Sequence, residues 1–184
     1  MLIELNNKKI FAFADTHGKH RQLDVPADAD ILVCVGDVCN EGNEAQIEDF
    51  FAWFAQLPAR HKLFVPGNHD IPFEIVPHLA CTMVPPNVEY VEEGGLMLDD
   101  IRFYVLPVRM YMDSPIDIPY RVDVLVTHGA PWGILGGETY SCPILRDVVD
   151  EAQPRIHIFG HIHNYGGQTL QHGKTLFCNV AVTM

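Results

Sequence analysis

Residues 9–18 read Lys9-Ile10-Phe11-Ala12-Phe13-Ala14-Asp15-Thr16-His17-Gly18. A near-continuous apolar run of this kind is typical of a β-strand that is buried on both faces. Asp15 and His17 follow the run directly, and residues two apart can present their side chains to one side. The segment therefore predicts a buried strand, here residues 9–14, that ends in polar groups.

The same arrangement occurs four more times along the chain. Further strands are predicted at residues 31–35, 62–65, 122–127 and 156–159. The polar clusters that follow them are Gly36-Asp37, Gly67-Asn68-His69-Asp70, His128-Gly129 and Gly160-His161-Ile162-His163. In sheet-based α/β proteins, ligands collect beyond the carboxyl ends of the strands. We therefore expect the five clusters to meet in one cleft.

Each cluster taken alone has an ordinary structural explanation. A Gly-Asp pair after a strand is usually a turn, and Asn68 could close a turn through a bond from its own side chain. A single histidine such as His128 is equally unspecific. The functional signal is the ordered set, because all five clusters follow apolar strands.

The remaining patterns predict two helices and two hairpins. Helix 44–57 carries one apolar stripe with Asn43 as its N-cap, and helix 144–152 stops before Pro154. The hairpins pair residues 96–98 with 101–106 and residues 168–170 with 175–178. Together these elements predict an α/β fold in one domain spanning residues 1–184.

Composition excludes several classes of protein. The chain has 24 acidic and 12 basic residues, a net charge of −12, and no cluster of basic residues, so a long nucleic acid is not an expected partner. Its five cysteines contain no Cys-x-x-Cys pair, which argues against a disulfide framework and a thiolate zinc site. We see no signal peptide and no membrane-spanning run, and therefore expect a soluble, cytoplasmic protein without a membrane partner.

The residue types in the clusters suit metal binding. Imidazole and carboxylate groups favour Mn, Fe, Ni or Zn. Two metals about 3.5–4 Å apart need a shared ligand, and one carboxylate can serve both. With only Asp15 and Asp37 as anionic ligands, two divalent ions leave a local charge of about +2, which would attract an anionic substrate.

The full set of motifs resembles the calcineurin-like metallophosphoesterase superfamily. Thr127-His128-Gly129-Ala130-Pro131 and Gly160-His161-Ile162-His163-Asn164-Tyr165-Gly166 are similar to its small cyclic-nucleotide phosphodiesterase branch. The resemblance implies a four-layer α/β (α+β) fold, a β-sandwich of two mixed sheets flanked by helices. It also implies two divalent metal ions, with Mn favoured and Ni, Fe, Zn or Mg as alternatives.

The resemblance also implies the ligands and the catalytic groups. One metal would be held by Asp15, His17, Asp37 and His163. The other would be held by Asp37, Asn68, His128 and His161, with Asp37 bridging. His69 would stabilise the transition state or protonate the leaving oxygen. Asp70 would orient His69, or would be an exposed turn residue.

Substrate contacts are predicted from position alone. The candidates are Lys19, His20, Arg21, Asn68, Arg109, Tyr111 and Trp132. A tryptophan such as Trp132 more often packs as a loop anchor, and a lysine or arginine more often lies on the solvated surface.

The resulting hypothesis is a phosphodiesterase that hydrolyses small phosphodiesters or cyclic nucleotides by attack of a metal-bridging hydroxide. A phosphomonoesterase or nucleotide pyrophosphatase with the same centre is the alternative, followed by a metal-binding scaffold with vestigial activity. The intact His69 and the complete ligand set favour an enzyme. Gly36-Asp37 lacks the Asp-Arg-Gly continuation of protein Ser/Thr phosphatases, which argues against that activity.

Overall fold

The computed structural model describes residues 1–119 and 121–182. The strands within these residues are β1 (Leu2–Leu5), β2 (Lys8–Phe13), β3 (Ile31–Cys34), β4 (His61–Phe64), β5 (Glu89–Tyr90), β6 (Gly94–Leu98), β7 (Ile101–Val105), β8 (Val124–Val126), β9 (Ala130–Pro131), β10 (Ser141–Cys142), β11 (Ile156–Phe159), β12 (Thr169–His172) and β13 (Thr175–Asn179). The helices are α1 (Glu44–Phe54), α2 (Pro72–Ile75), α3 (Pro77–Ala80) and α4 (Pro143–Ala152). Short 3₁₀ turns occupy His20–Gln22, Cys81–Met83 and His163–Tyr165.

Two mixed sheets organise the molecule. The first has the strand order β1-β2-β3-β4-β5, in which only β1 is antiparallel to its neighbour. The second has the order β12-β13-β11-β8-β7-β6, with a parallel centre and an antiparallel hairpin at each edge. The five predicted strands and both predicted hairpins are present, with ends that shift by up to two residues.

Side-chain alternation along the strands creates four layers. In β3, Ile31 and Val33 belong to the core between the sheets, whereas Leu32 and Cys34 belong to the core under α1. A third apolar cluster packs α4 against the outer face of the second sheet. The expected sandwich of two mixed sheets flanked by helices is confirmed.

Helix α1 begins at the predicted residue, and helix α4 begins one residue earlier than predicted. Asn43 Oδ1 accepts a hydrogen bond from the Gln46 amide at 3.1 Å and caps α1. This helix ends at Phe54, three residues earlier than predicted, because Pro58 has no N–H to donate to the Phe54 carbonyl. Helix α4 starts with Pro143 at its first position, where the missing N–H has no consequence.

The two sheets meet at the edge where their parallel strands end. Ala14, after β2, pairs with Ala181, after β13, in an isolated parallel bridge. The Ala14 amide donates to Val180 O at 3.1 Å, and the Val182 amide donates to Ala14 O at 3.1 Å. This bridge brings the polar clusters of both sheets to one side of the molecule.

In the described part of the chain, every helix is too short or too polar to cross a bilayer.

Candidate metal centre

Two groups of potential metal ligands lie at this shared edge. In each group, one ligand atom from every side chain lies within 4.8 Å of the others. The first group consists of Asp15, His17 and His163, and the second of Asp37, His128 and His161. Asn68 Oδ1 lies 3.1 Å from His128 Nε2 and so adjoins the second group. The loops after five strands thus bring together all seven residues that were predicted as ligands.

The first group is linked to the second through the backbone. The His161 amide donates to Asp15 Oδ2 at 2.9 Å, and the His17 amide donates to Asp37 O at 3.0 Å. Each link joins a residue of one group to a residue of the other. The two groups are therefore neighbours and not separate sites.

Backbone carbonyls orient two of the imidazole rings. His17 Nδ1 lies 3.1 Å from Cys39 O, and His128 Nδ1 lies 2.6 Å from Val35 O. A carbonyl oxygen can only accept a hydrogen bond, so each Nδ1 must carry the hydrogen. The neutral ring then keeps its lone pair on Nε2. The same arrangement fixes metal-bound histidines in many proteins.

The two carboxylates each use one oxygen for structure. Asp15 Oδ2 accepts from the His161 amide, and Asp37 Oδ1 accepts from the His69 amide at 2.8 Å. Asp37 Oδ2 instead lies 3.3 Å from His128 Nε2. Each carboxylate therefore keeps a second oxygen for the ligand cluster.

Two polar atoms in the cluster are buried without a hydrogen-bond partner among the described residues. They are Asp15 Oδ1 and His161 Nε2. His163 Nε2 approaches Asp15 Oδ1 to 3.4 Å without forming a hydrogen bond. Buried polar atoms are rarely left unsatisfied, and a divalent cation would satisfy both. The carboxylate, imidazole and amide donors present fit such a cation.

Burial and neighbouring charges shift the pKa values of several side chains in the cluster. Burial lowers the pKa of His128, but the carboxylate of Asp37 more than offsets this and raises it to about 9. Burial raises the pKa of Asp37, yet His128 outweighs it and leaves that pKa well below the usual range. Burial, followed by the charge of His128, lowers the pKa of His161 to about 4. A bound cation would take the place of the proton on His128, as metal binding commonly does.

Four residues of the centre have a strained backbone, as do eight other non-glycine residues in the described part of the chain. Asp15, His17, Asp37 and His161 have positive φ angles of 60°, 45°, 54° and 67°. A left-handed conformation costs a residue other than glycine about 1–2 kcal/mol. Strain of this kind is found where a fixed side-chain position serves a function.

Two glycines allow the loops to approach one another. A Cβ atom on Gly67 would lie 2.2 Å from Asp37 Oδ1 and 2.7 Å from His128 Cε1. A Cβ atom on Gly160 would lie 2.6 Å from Asp15 Oδ2. The glycines that precede the ligands in the sequence are therefore required by space.

Asp70 has a structural position that the sequence prediction missed. Its Oδ2 accepts from the amides of Asp37 at 2.8 Å and Gly67 at 2.9 Å, and its Oδ1 accepts from the Val38 amide at 3.0 Å. Burial and the nearby charge of Asp37 raise its pKa to about 6. The predictions that Asp70 orients His69 or lies exposed in a turn are wrong, because the carboxylate is buried and its oxygens bind backbone amides.

A cavity of about 770 Å³ opens beside the ligand groups. The described residues that line it are Asp15, Thr16, His17, Lys19, Asn40, His69, His163 and Val182. His69 stands next to His17, with ring centroids 5.1 Å apart. Asn40 was not predicted; its Nδ2 donates to His17 O at 3.2 Å. Its position three residues after Asp37, in the same loop, was the signal available in the sequence.

His20 does not reach this cavity. Its ring is fully buried and packs against Phe50 and Trp53, with centroids 5.5 and 5.0 Å away. His20 Nε2 lies 3.1 Å from Asp49 Oδ2. The prediction that His20 contacts substrate is therefore wrong.

Arg109 is also bound elsewhere. Its guanidinium donates to Gly67 O at 3.3 Å, to Phe73 O at 3.2 Å and to Glu92 Oε1 at 3.0 Å. Its side chain is only 13% exposed. Arg109 supports the loop after β4, and its predicted substrate contact is wrong.

The other nominated contacts lie outside the cavity. Arg21 pairs with Asp49 on the surface at 2.6 Å, and the Tyr111 hydroxyl donates to Thr139 O at 3.2 Å. Trp132 is 43% exposed, and it is not among the described residues that line the cavity. Of the predicted substrate contacts, only Lys19 lines the cavity and only Asn68 adjoins a ligand group.

The chain is similar to known proteins in sequence and in fold. The chain is 28% identical to UPF0046 protein K07C11.7 of Caenorhabditis elegans, over 94% of this chain and 69% of that protein. It is also 28% identical to human metallophosphoesterase domain-containing protein 1, over 92% of this chain and 64% of that protein. The crystal structure of phosphopantetheinyl hydrolase from Mycobacterium tuberculosis has the same fold, with a TM-score of 0.67 at 12% identity, covering 94% of this chain and 88% of that one.

The family assignment rests on a match to a family model that covers most of the chain. The model of the calcineurin-like phosphoesterase family, whose members are metal-dependent hydrolases, matches residues 8–165. This range contains every residue of the two ligand groups. The chain belongs to the calcineurin-like phosphoesterase family.

Proposed function

We propose that the chain is a dinuclear phosphodiesterase that hydrolyses small phosphodiesters, cyclic nucleotides among them. The observation that carries this proposal is the pair of adjacent ligand groups beside an open cavity. The unpartnered atoms Asp15 Oδ1 and His161 Nε2 support cation binding there. Asp37 is the proposed shared ligand, because it lies in the second group and its backbone is bonded to His17 of the first.

The chemistry divides between the cations and the protein. Divalent cations bound at such a site lower the pKa of water and attract phosphoryl oxygens. Mn is the proposed metal, with Ni, Fe, Zn and Mg as alternatives. The first cation would be held by Asp15, His17, Asp37 and His163, and the second by Asp37, Asn68, His128 and His161.

His69 is the proposed general acid. It lines the cavity without belonging to either ligand group. Its backbone amide is fixed by Asp37 Oδ1 at 2.8 Å, which places the ring at the edge of the cluster. From there the imidazole can give a proton to the leaving oxygen of a bound ester.

Lys19 and Asn40 are the proposed substrate contacts. Both line the cavity beside the ligand groups. The Lys19 ammonium can donate hydrogen bonds to phosphoryl oxygens that the cations leave free. The Asn40 amide donates to His17 O and Gln46 Oε1, so it would exchange one of these bonds for the substrate. The chain carries a net charge of −12, so we propose a small substrate and no long nucleic acid. The proposed location is the cytoplasm.

One observation favours a second activity. Lys19 adds a positive charge to the cavity, and that charge would suit the extra negative charge of a phosphomonoester or a pyrophosphate. A phosphomonoesterase or nucleotide pyrophosphatase with the same centre is therefore the second candidate.

A substrate panel tests the proposal. Bis-aryl phosphate, mono-aryl phosphate, a nucleotide sugar and 2′,3′- and 3′,5′-cyclic nucleotides are assayed with Mn, Ni, Zn, Mg or no added metal. Metal-dependent hydrolysis with the highest kcat/KM on a diester supports the phosphodiesterase. A preference for the monoester or the pyrophosphate supports the second candidate, and inactivity with every metal would leave only a metal-binding scaffold.

A further inference from the structure

A second cavity, of about 560 Å³, lies at the amino-terminal ends of the central strands of the second sheet. The metal ligands follow the carboxyl ends of β8 and β11, whereas this cavity is lined by Asp123 and Arg155, which directly precede those strands. The two cavities share no described lining residue. The volume is in the range of small-molecule sites, about 300–1,000 Å³. We call it the distal cavity.

Positive charge is enriched around the distal cavity. It is lined by four basic residues, Arg102, Arg121, Arg155 and Lys174. These are four of the chain's 12 basic residues, whereas only three of its 24 acidic residues line the same cavity. The whole protein has a net charge of −12, whereas the residues that line this cavity have more basic than acidic members.

Asp123 arranges two of these arginines. Its Oδ2 accepts from Arg102 Nε at 2.8 Å and its Oδ1 accepts from Arg102 Nη2 at 3.1 Å, while Arg155 Nη1 lies 3.6 Å from Oδ1. Asp123 is 6% exposed at its side chain, but Arg102 and Arg155 are 44% and 54% exposed. The other partner of Arg155 is the neutral Asn6. One carboxylate thus faces two guanidinium groups, and one positive charge is left over.

Apolar side chains also line the distal cavity. Ile116, Ile118 and Val148 line the distal cavity and pack against the cluster around α4. A ligand that satisfied both the basic and the apolar side chains would combine an anionic group with an apolar body. Arginine recognises planar or tetrahedral oxyanions through paired N–H donors.

We propose that the distal cavity is a binding site for a small amphipathic anion, with its carboxylate, sulfonate or phosphate on Arg102 and Arg155 and its apolar body against Ile116 and Ile118. The site is separate from the metal centre, and it stands whether or not the proposed phosphodiesterase activity is correct.

Titration calorimetry with 1-octanesulfonate tests the proposal, because this probe combines both features and cannot be hydrolysed as a phosphoester. Saturable binding is expected, with inorganic sulfate and 1-octanol, which each lack one feature, binding at least tenfold more weakly. Arg155→Gln and Ile118→Ser should each weaken binding roughly tenfold or more, since each removes one half of the recognition. Arg60→Gln is the matched control; this arginine lies outside the cavity and its loss changes the net charge equally.

Two further proteins keep the outcome decisive. Lys174→Gln, in the turn between β12 and β13, replaces Arg155→Gln if that variant does not fold. Asp37→Ala disables the metal centre and should leave octanesulfonate binding unchanged. The proposal is overturned if the wild type shows no saturable binding, if the cavity variants bind as the wild type does, or if Asp37→Ala abolishes binding.

Discussion

Asp37 and Asp70 are the same residue type, but their positions give them different roles. Asp70 accepts three backbone amides and joins the loops after β3 and β4. Asp37 accepts one amide and turns its second oxygen to His128. The position of Asp37, a candidate ligand, therefore depends on Asp70, which is buried and does not line the cavity.

His69→Gln tests the proposed general acid. We expect kcat on a substrate with a poor leaving group to fall by about 10²–10⁴, because the proton donor is lost. Metal content should stay at the wild-type level, since His69 belongs to neither ligand group. His78→Gln, at an exposed position, is the control. An unchanged kcat in His69→Gln would remove the acid role.

The buried histidine His157 should make the free energy of unfolding fall at acid pH. Burial lowers its pKa to about 3, and its Nε2 lies 2.9 Å from the Thr127 hydroxyl. Below pH 6.5 the unfolded chain protonates this histidine and the folded chain does not, so stability falls as the pH drops toward 3. The loss between pH 7 and pH 5 is about 2 kcal/mol from this group.

His157→Gln keeps a donor for Thr127 but does not titrate. Denaturant unfolding of both proteins at pH 7 and pH 5 measures the difference. The variant should lose about 2 kcal/mol less than the wild type over this interval. Equal losses would show that His157 does not stay neutral in the folded protein.

At the residue scale, the sequence predicted which polar side chains converge better than it predicted which side chains line the cavity. The ligands follow apolar strands whose parallel ends must meet, so their convergence could be inferred. His20 and Arg109 have partners, Asp49 and Glu92, that lie far away in the sequence. No local pattern indicates such partners.

At the element scale, the loop between β4 and α2 depends on Gly67. Gly67→Ala should weaken metal binding at least tenfold and destabilise the protein by about 1–3 kcal/mol, because its Cβ would overlap Asp37. Metal titration and thermal unfolding measure both effects. Gly95→Ala is the control, since its Cβ would meet Tyr104 at an ordinary 3.6 Å. Wild-type metal affinity in Gly67→Ala would contradict the tight approach of these loops.

Helix α1 provides a second test at this scale. Asn43→Ala should lower the free energy of unfolding by about 1 kcal/mol, because the Gln46 amide loses its cap. Asn43→Ser, which keeps a capping oxygen, should recover most of the loss. If alanine and serine behaved alike in denaturant unfolding, the cap would not be contributing.

The long elements could be predicted because their patterns extend over whole strands or turns. Strands β5, β9 and β10 have only two residues each and carry no periodicity. Strand β1 is missed because its alternation, with Ile3 and Leu5 buried and Leu2 and Glu4 exposed, is short. Such elements form because neighbouring strands are already in place, which is information outside their own sequence.

For the whole molecule, the sandwich of two sheets explains why the candidate metal ligands lie far apart in the sequence. The first sheet supplies Asp15, His17, Asp37 and Asn68 after β2, β3 and β4, and the second supplies His128, His161 and His163 after β8 and β11. The Ala14–Ala181 bridge joins the two sheets at this edge. The strand patterns alone do not give the pairing order of the strands, and the family resemblance implied only a sandwich of two mixed sheets.

Anomalous diffraction from crystals grown with Mn²⁺ tests the central claim most directly. We expect two peaks about 3.5–4 Å apart, one against Asp15, His17 and His163, the other against Asp37, His128 and His161, with Asp37 in contact with both. A single peak, or two peaks that do not share Asp37, would contradict the dinuclear centre.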